Sequence, residues 1–98
     1  MRHRYLITYD ICDEKRLHQV HKAMIGLGDH LQYSVFLCDF SKEELVLARE
    51  KLRGLMNQKE DSVLIADLGP LDLKGRIRRG LKFMGVRPVM RDREAVVV

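Results

Sequence analysis

An α+β fold of order βαββαβ, with two helices over one face of an antiparallel sheet, is what this 98-residue sequence predicts. Three observations predict it. Residues 4–11, RYLITYDI, alternate between apolar and mixed positions with period two. Two later stretches repeat apolar residues at helical spacing, each behind a capping residue. The remaining β-rich segments fall at 30–40, between the helices, and at 62–68, after the second.

The elements follow in order. In residues 4–11, Tyr5, Ile7, Tyr9 and Ile11 share one face, and Leu6, Thr8 and Asp10 share the other. Asp13 is placed to cap the first helix, with Glu14 in its first turn. Leu17, Val20, His21, Met24 and Leu27 form its apolar stripe, and Gly26 and Gly28 mark its end. HLQYSVFLCDF, residues 30–40, is rich in aromatic and β-branched residues. Its length suits two short strands or one bent strand, with the break at Gln32–Ser34. SKEE at 41–44 is a capping box from Ser41 to Glu44. Leu45, Ala48, Leu52, Leu55 and Met56 then form the stripe of a second helix. DSVLIADLGP supplies a strand over 62–68, ended by Gly69-Pro70.

This order is that of a ferredoxin-like sandwich, a single domain over 1–98 with its core at about 4–69. Within residues 70–98, Ile77, Leu81 and Met84 fit a short basic helix, and Gly85 and Pro88 break it. Residues 95–98, AVVV, read as an extra C-terminal strand, which needs a pairing edge; a partner subunit's sheet offers one. With Tyr5, Ile7 and Tyr9 toward the helices, Leu6, Thr8 and Phe36 are expected on the open face. That face suits a second subunit, giving a sheet-to-sheet homodimer.

Hydrophobic content of 46% and charged content of 33% describe a globular chain rather than a disordered one. The N-terminal MRHRYLITYD is charged and its apolar run is too short for a signal peptide. No apolar run reaches membrane-spanning length, so a cytoplasmic protein without membrane contact is expected. Cys12 and Cys38 have neither CxxC spacing nor a dense framework, and read as reduced thiols. The net charge of +4 modestly favours a polyanionic partner. Its densest stretch, KGRIRRGLK at 74–82, carries five Lys or Arg and no acid. Arg76, Arg78 and Arg79 there are candidate phosphate contacts or a solvated face. No Walker A loop, GxGxxG or Ser-His-Asp-like motif is present.

Asp10 is the residue that asks for chemistry. A carboxylate near the end of an apolar strand loses β-propensity and hydration unless something compensates it. Magnesium takes one or two carboxylates and keeps several waters. In a twofold dimer built on the open face, Asp10 occurs twice near the axis, and two close carboxylates hold a divalent cation well. Lys15 and Arg16 lie in the first turn of the first helix, where the positive dipole end disfavours them. An anion visiting that helix end would rationalise both, although two solvated side chains explain them as simply. His18 and His21 lack a second ligand pair at zinc spacing, and His21 sits on the apolar stripe. Asp39, at the end of the 30–40 segment, reads as a turn residue, or as a second acid.

YLITYDICDEKRLHQVHKAMIGLG, LQYSVFLCDF and DSVLIADLG together resemble the CRISPR-associated protein 2 family, over residues 4–69. The resemblance implies a ferredoxin-like homodimer with facing sheets, and makes Asp10 the metal-binding aspartate, for Mg2+ or Mn2+. It implies a role in spacer acquisition and a metal-dependent endonuclease acting on single-stranded RNA or duplex DNA. It also implies an alternative, a scaffold that holds duplex DNA within the CRISPR integrase complex without cleaving. It sets Arg16 near a nucleic-acid backbone and Ser34 and Phe36 in a second motif beside the site. A third reading, an RNA-recognition domain, requires paired aromatic residues on the open face, where only Phe36 is expected.

Overall fold

The structure, a computed structural model, describes residues 1–71 and 82–86. The expected basic helix and the strand at 95–98 lie outside the described residues, as do Arg76, Arg78 and Arg79. The elements are β1 (His3–Asp10), α1 (Glu14–Ile25), β2 (Asp29–Gln32), β3 (Val35–Phe40), α2 (Lys42–Leu55) and β4 (Ser62–Pro70). They form one four-stranded antiparallel sheet of order β2-β3-β1-β4. The predicted order therefore holds, and the 30–40 segment resolves into two strands.

Both helix starts follow from their caps. The Asp13 side chain accepts the Arg16 backbone N–H at 2.9 Å, at an extended residue before α1. Ser41 Oγ accepts the Glu44 N–H at 3.2 Å, and Glu44 Oε1 accepts the Ser41 N–H at 2.8 Å. That reciprocal pair satisfies two donors that the first turn of α2 leaves without partners. At the end of α1 the chain passes so close to β3 that a Cβ at Gly28 would collide with Cys38 Sγ and the Leu37 carbonyl. Only glycine fits there without displacing the strand.

The core is one layer between sheet and helices. Tyr5, Ile7, Tyr9 and Ile11 from β1 and its extension pack with Phe36, Cys38 and Phe40 from β3. Val20 and Met24 of α1 and Ala48 and Leu52 of α2 close the layer. Ile7, Val20, Met24 and Phe36 are fully buried. Each such side chain contributes roughly 1.5–3 kcal/mol by leaving water.

The pairing register corrects one expectation. Ile7 pairs with Phe36, so both point to the helices. Phe36 is a core residue and not part of the open face. The open face consists of Leu6 and Thr8 on β1, Val35 and Leu37 on β3, and Leu64 and Ala66 on β4. Leu64 is 64% exposed there, with Asp10 and its cross-strand partner Ser62 at one end. β4 also runs two residues past the predicted end. Gly69 takes φ +104, Asp67 Oδ1 accepts its N–H at 2.8 Å, and the pairing with β1 shifts between His3 and Tyr5. A glycine at positive φ lets the strand bulge and continue.

Candidate metal and nucleic-acid site

The C-terminal end of β1, the start of α1, the β2–β3 turn and the α2–β4 loop meet at one end of the sheet. Asp10 is the last residue of β1 and its side chain lies on the open face, exposed. No hydrogen bond or ion pair to the Asp10 carboxylate occurs among the described residues. Its compensation is thus solvent or something from outside this chain. Among the described residues no three His, Cys, Asp or Glu side chains come together as a metal cluster. One chain supplies one carboxylate, which fits a hard cation that keeps most of its water and falls short of a complete protein cage.

Ser34 sits beside this strand end: its carbonyl accepts the Tyr9 N–H at 3.2 Å. Phe36 is further inside, stacked on His30 at 4.7 Å and on Tyr9 at 6.1 Å between ring centroids. It supports the neighbourhood from within the core. Lys15 is exposed in the first turn of α1.

Arg16 is engaged by the protein's own acids. Its Nε donates to Asp61 Oδ2 at 2.8 Å, and its Nη2 donates to Glu60 Oε1 at 3.0 Å. Asp61 has no exposed side-chain surface and also accepts the Cys12 and Asn57 backbone N–H groups, at 2.9 and 2.8 Å. Hydrogen bonds from Arg16, with these amides, hold the Asp61 carboxyl well below the ordinary carboxylate range despite burial. The cluster ties the loop after Asp10 to the loop before β4, and so braces the strand end that carries Asp10. The cationic placement that the sequence left open between a visiting anion and a solvated side chain has an internal counter-charge at Arg16.

Asp61 is the residue that sequence reasoning missed. In DSVLIADLGP it reads only as the residue before a strand, and its partner Arg16 lies 45 positions away. Asp39 likewise departs from the turn reading. It lies within β3, opposite Arg4, and Arg4 Nε and Nη2 donate to its two carboxylate oxygens at 2.6 and 2.9 Å. This forked pair is largely buried, with 8% and 15% of the two side chains exposed.

A second feature lies on the helix side of the same end. The Tyr9 hydroxyl and His21 Nδ1 are 2.9 Å apart, and the His21 and His30 rings meet edge to face at 5.0 Å. Burial, with the neighbouring His30 and His18, pushes the His21 imidazole below its ordinary value of 6.5. No helix among the described residues is long and apolar enough to cross a membrane.

Comparison with known proteins agrees with this architecture. The family model for CRISPR associated protein Cas2 matches residues 1–74. A Geobacter sulfurreducens protein named CRISPR-associated endoribonuclease Cas2 is 38% identical over 72 residues, covering 74% of this chain and 76% of its own. A Synechocystis protein of the same name is 30% identical over 94 residues, covering 96% of this chain and 97% of its own. The solved Streptococcus pyogenes Cas2 superposes with a TM-score of 0.62 at 34% identity, over 67% of this chain and 86% of that one. With the βαββαβ order, the matched first three quarters of the sequence and these relatives, the chain belongs to the CRISPR-associated Cas2 family.

Proposed function

We propose that this protein is a metal-dependent endonuclease of CRISPR adaptation that hydrolyses phosphodiester bonds, with Asp10 as the metal-binding carboxylate. The observation that carries the proposal is the Asp10 side chain. It is exposed, without a partner among the described residues, and set at the end of an apolar sheet face. Relatives named endoribonucleases support RNA as a substrate. A second copy on the open face would cover Leu6, Val35, Leu64 and Ala66 and bring a second Asp10 toward the first. Two such carboxylates suit Mg2+ or Mn2+, which when bound supplies charge neutralisation at the phosphate and a water of lowered pKa. The chain's own part is to hold both carboxylates in place through the Arg16–Asp61 cluster, to set Ser34 beside them, and to offer Lys15 to a phosphate.

A second reading is favoured by the single carboxylate per chain: a dimeric scaffold for duplex DNA, joined to the integrase, without cleavage. Cleavage of labelled single-stranded RNA and duplex DNA, with and without Mg2+, separates the two. Mg2+-dependent cleavage by the wild type that is absent in Asp10→Ala supports the endonuclease. No cleavage supports the scaffold, and equal cleavage by both proteins points to a contaminating nuclease and removes Asp10 from the chemistry.

A further inference from the structure

A groove of about 950 Å3 opens between the start of α1 and the β2–β3 turn, on the helix side of the sheet end that carries Asp10. Its lining is mostly apolar and includes Leu17, His18, His21, His30 and Tyr33. The volume falls within the range that small ligands occupy. We propose that this groove receives an unpaired base of single-stranded RNA, beside the carboxylate assigned above to metal binding. The proposal rests on that assignment for its biological role and on the groove's own chemistry for its ligand.

Four observations point to a base. Tyr33 is 94% exposed at the rim, an aromatic ring offered to solvent at the tip of a turn. Stacking of a base on such a ring is the sequence-tolerant way in which proteins hold single strands. The turn that carries it is fixed, because His30 Nε2 lies 2.6 Å from the Tyr33 carbonyl. That carbonyl only accepts, so His30 Nε2 donates to it, and the ring that holds the turn is itself part of the groove lining.

The charges at the groove select base over phosphate. Lys15 is on the lining, but so are Asp13 and Glu14. Two acids there repel a phosphate inside the groove, whereas a neutral heterocycle carries no charge for them to repel. Position supplies the last argument. Tyr9 lines the groove and Asp10 is the next residue, with its side chain on the opposite face of the strand. A strand lying over this edge would place a base in the groove and its phosphate toward Asp10.

The test uses the full-length protein and fluorescein-labelled single-stranded RNA, with a duplex RNA of the same sequence as control. Binding is read by anisotropy in EDTA, so that no cleavage intervenes. Tyr33→Ala is expected to weaken single-strand binding about tenfold, the scale of one lost stacking contact, and to leave duplex binding unchanged. His18→Ala, another exposed position, is expected to weaken the single strand selectively as well. Equal binding by wild type and both variants overturns the proposal, as does equal loss on single strand and duplex. Absence of single-strand binding by the wild type overturns it too. Asp10→Asn distinguishes the two claims. If it cleaves normally while Tyr33→Ala loses single-strand binding, the groove stands and the hydrolytic reading falls. If it abolishes cleavage while Tyr33→Ala binds normally, the reverse holds.

Discussion

Phe36→Ala distinguishes a core residue from a site residue. Its ring has no exposed surface and is stacked on His30 and Tyr9, with the His21 ring edge-on at 5.6 Å. Truncating a fully buried Phe costs about 3–5 kcal/mol through lost transfer energy and the cavity left behind. The lost ring pairs push this toward the upper end, since each is worth roughly 0.5–1.5 kcal/mol beyond burial. A domain of this size has about 5–15 kcal/mol in total, so Phe36→Ala leaves a marginal fold. Phe36→Leu keeps most of the volume and loses three ring pairs at roughly 0.5–1.5 kcal/mol each, and each kcal/mol lost lowers Tm by ~4–8 °C. Urea unfolding followed by far-UV circular dichroism measures both, and cleavage is then assayed per folded molecule. The structure predicts a large loss of stability for Phe36→Ala, and for Phe36→Leu a smaller loss with normal cleavage per folded molecule. Wild-type stability combined with lost cleavage would refute the placement and make Phe36 part of the chemistry.

Three further outcomes follow from the same contacts. The Asp61 carboxyl is held below its ordinary value of 3.8 when folded, so its contribution is fully present above that pH. It is lost as pH falls below that value, and urea midpoints against pH for Asp61→Asn should show a flatter acid limb and lower stability at neutral pH. His21, depressed by burial, favours the neutral ring when folded, so the unfolded chain binds the extra proton. Its contribution is present above its ordinary 6.5 and is lost as pH falls below it, and His21→Gln should remove that slope from the same titration. Ser41→Ala removes half of the capping box of α2 and should cost about 1 kcal/mol in urea unfolding, with cleavage unchanged.

Much of this molecule was legible locally. The alternation through Tyr5, Ile7 and Tyr9 placed the core face, and the same parity exposed Asp10 on the other. The Ser41–Glu44 box is written in four consecutive residues and appears as read. Phe36 failed because its face depends on register, not on its own segment. A one-residue shift across the break at Tyr33–Ser34 moves every β3 side chain to the opposite face. The Arg16–Asp61 cluster was illegible for a different reason. A cation in the first turn of a helix signals that some anion is wanted. Nothing local says that the anion is an acid 45 residues away. Arg4 and Asp39 form a comparable long-range pair, joined only once β1 and β3 are aligned.

The central claim is that Asp10 holds a divalent cation, completed by a second copy of the chain. The most direct measurement is titration of Mn2+ into the wild-type protein and Asp10→Asn by calorimetry, with the mass of each determined by light scattering. The account predicts a dimer in both proteins, with one ion bound per two wild-type chains and none at that site in Asp10→Asn. Identical Mn2+ binding by the two proteins, or a wild-type dimer that binds no ion, would contradict it.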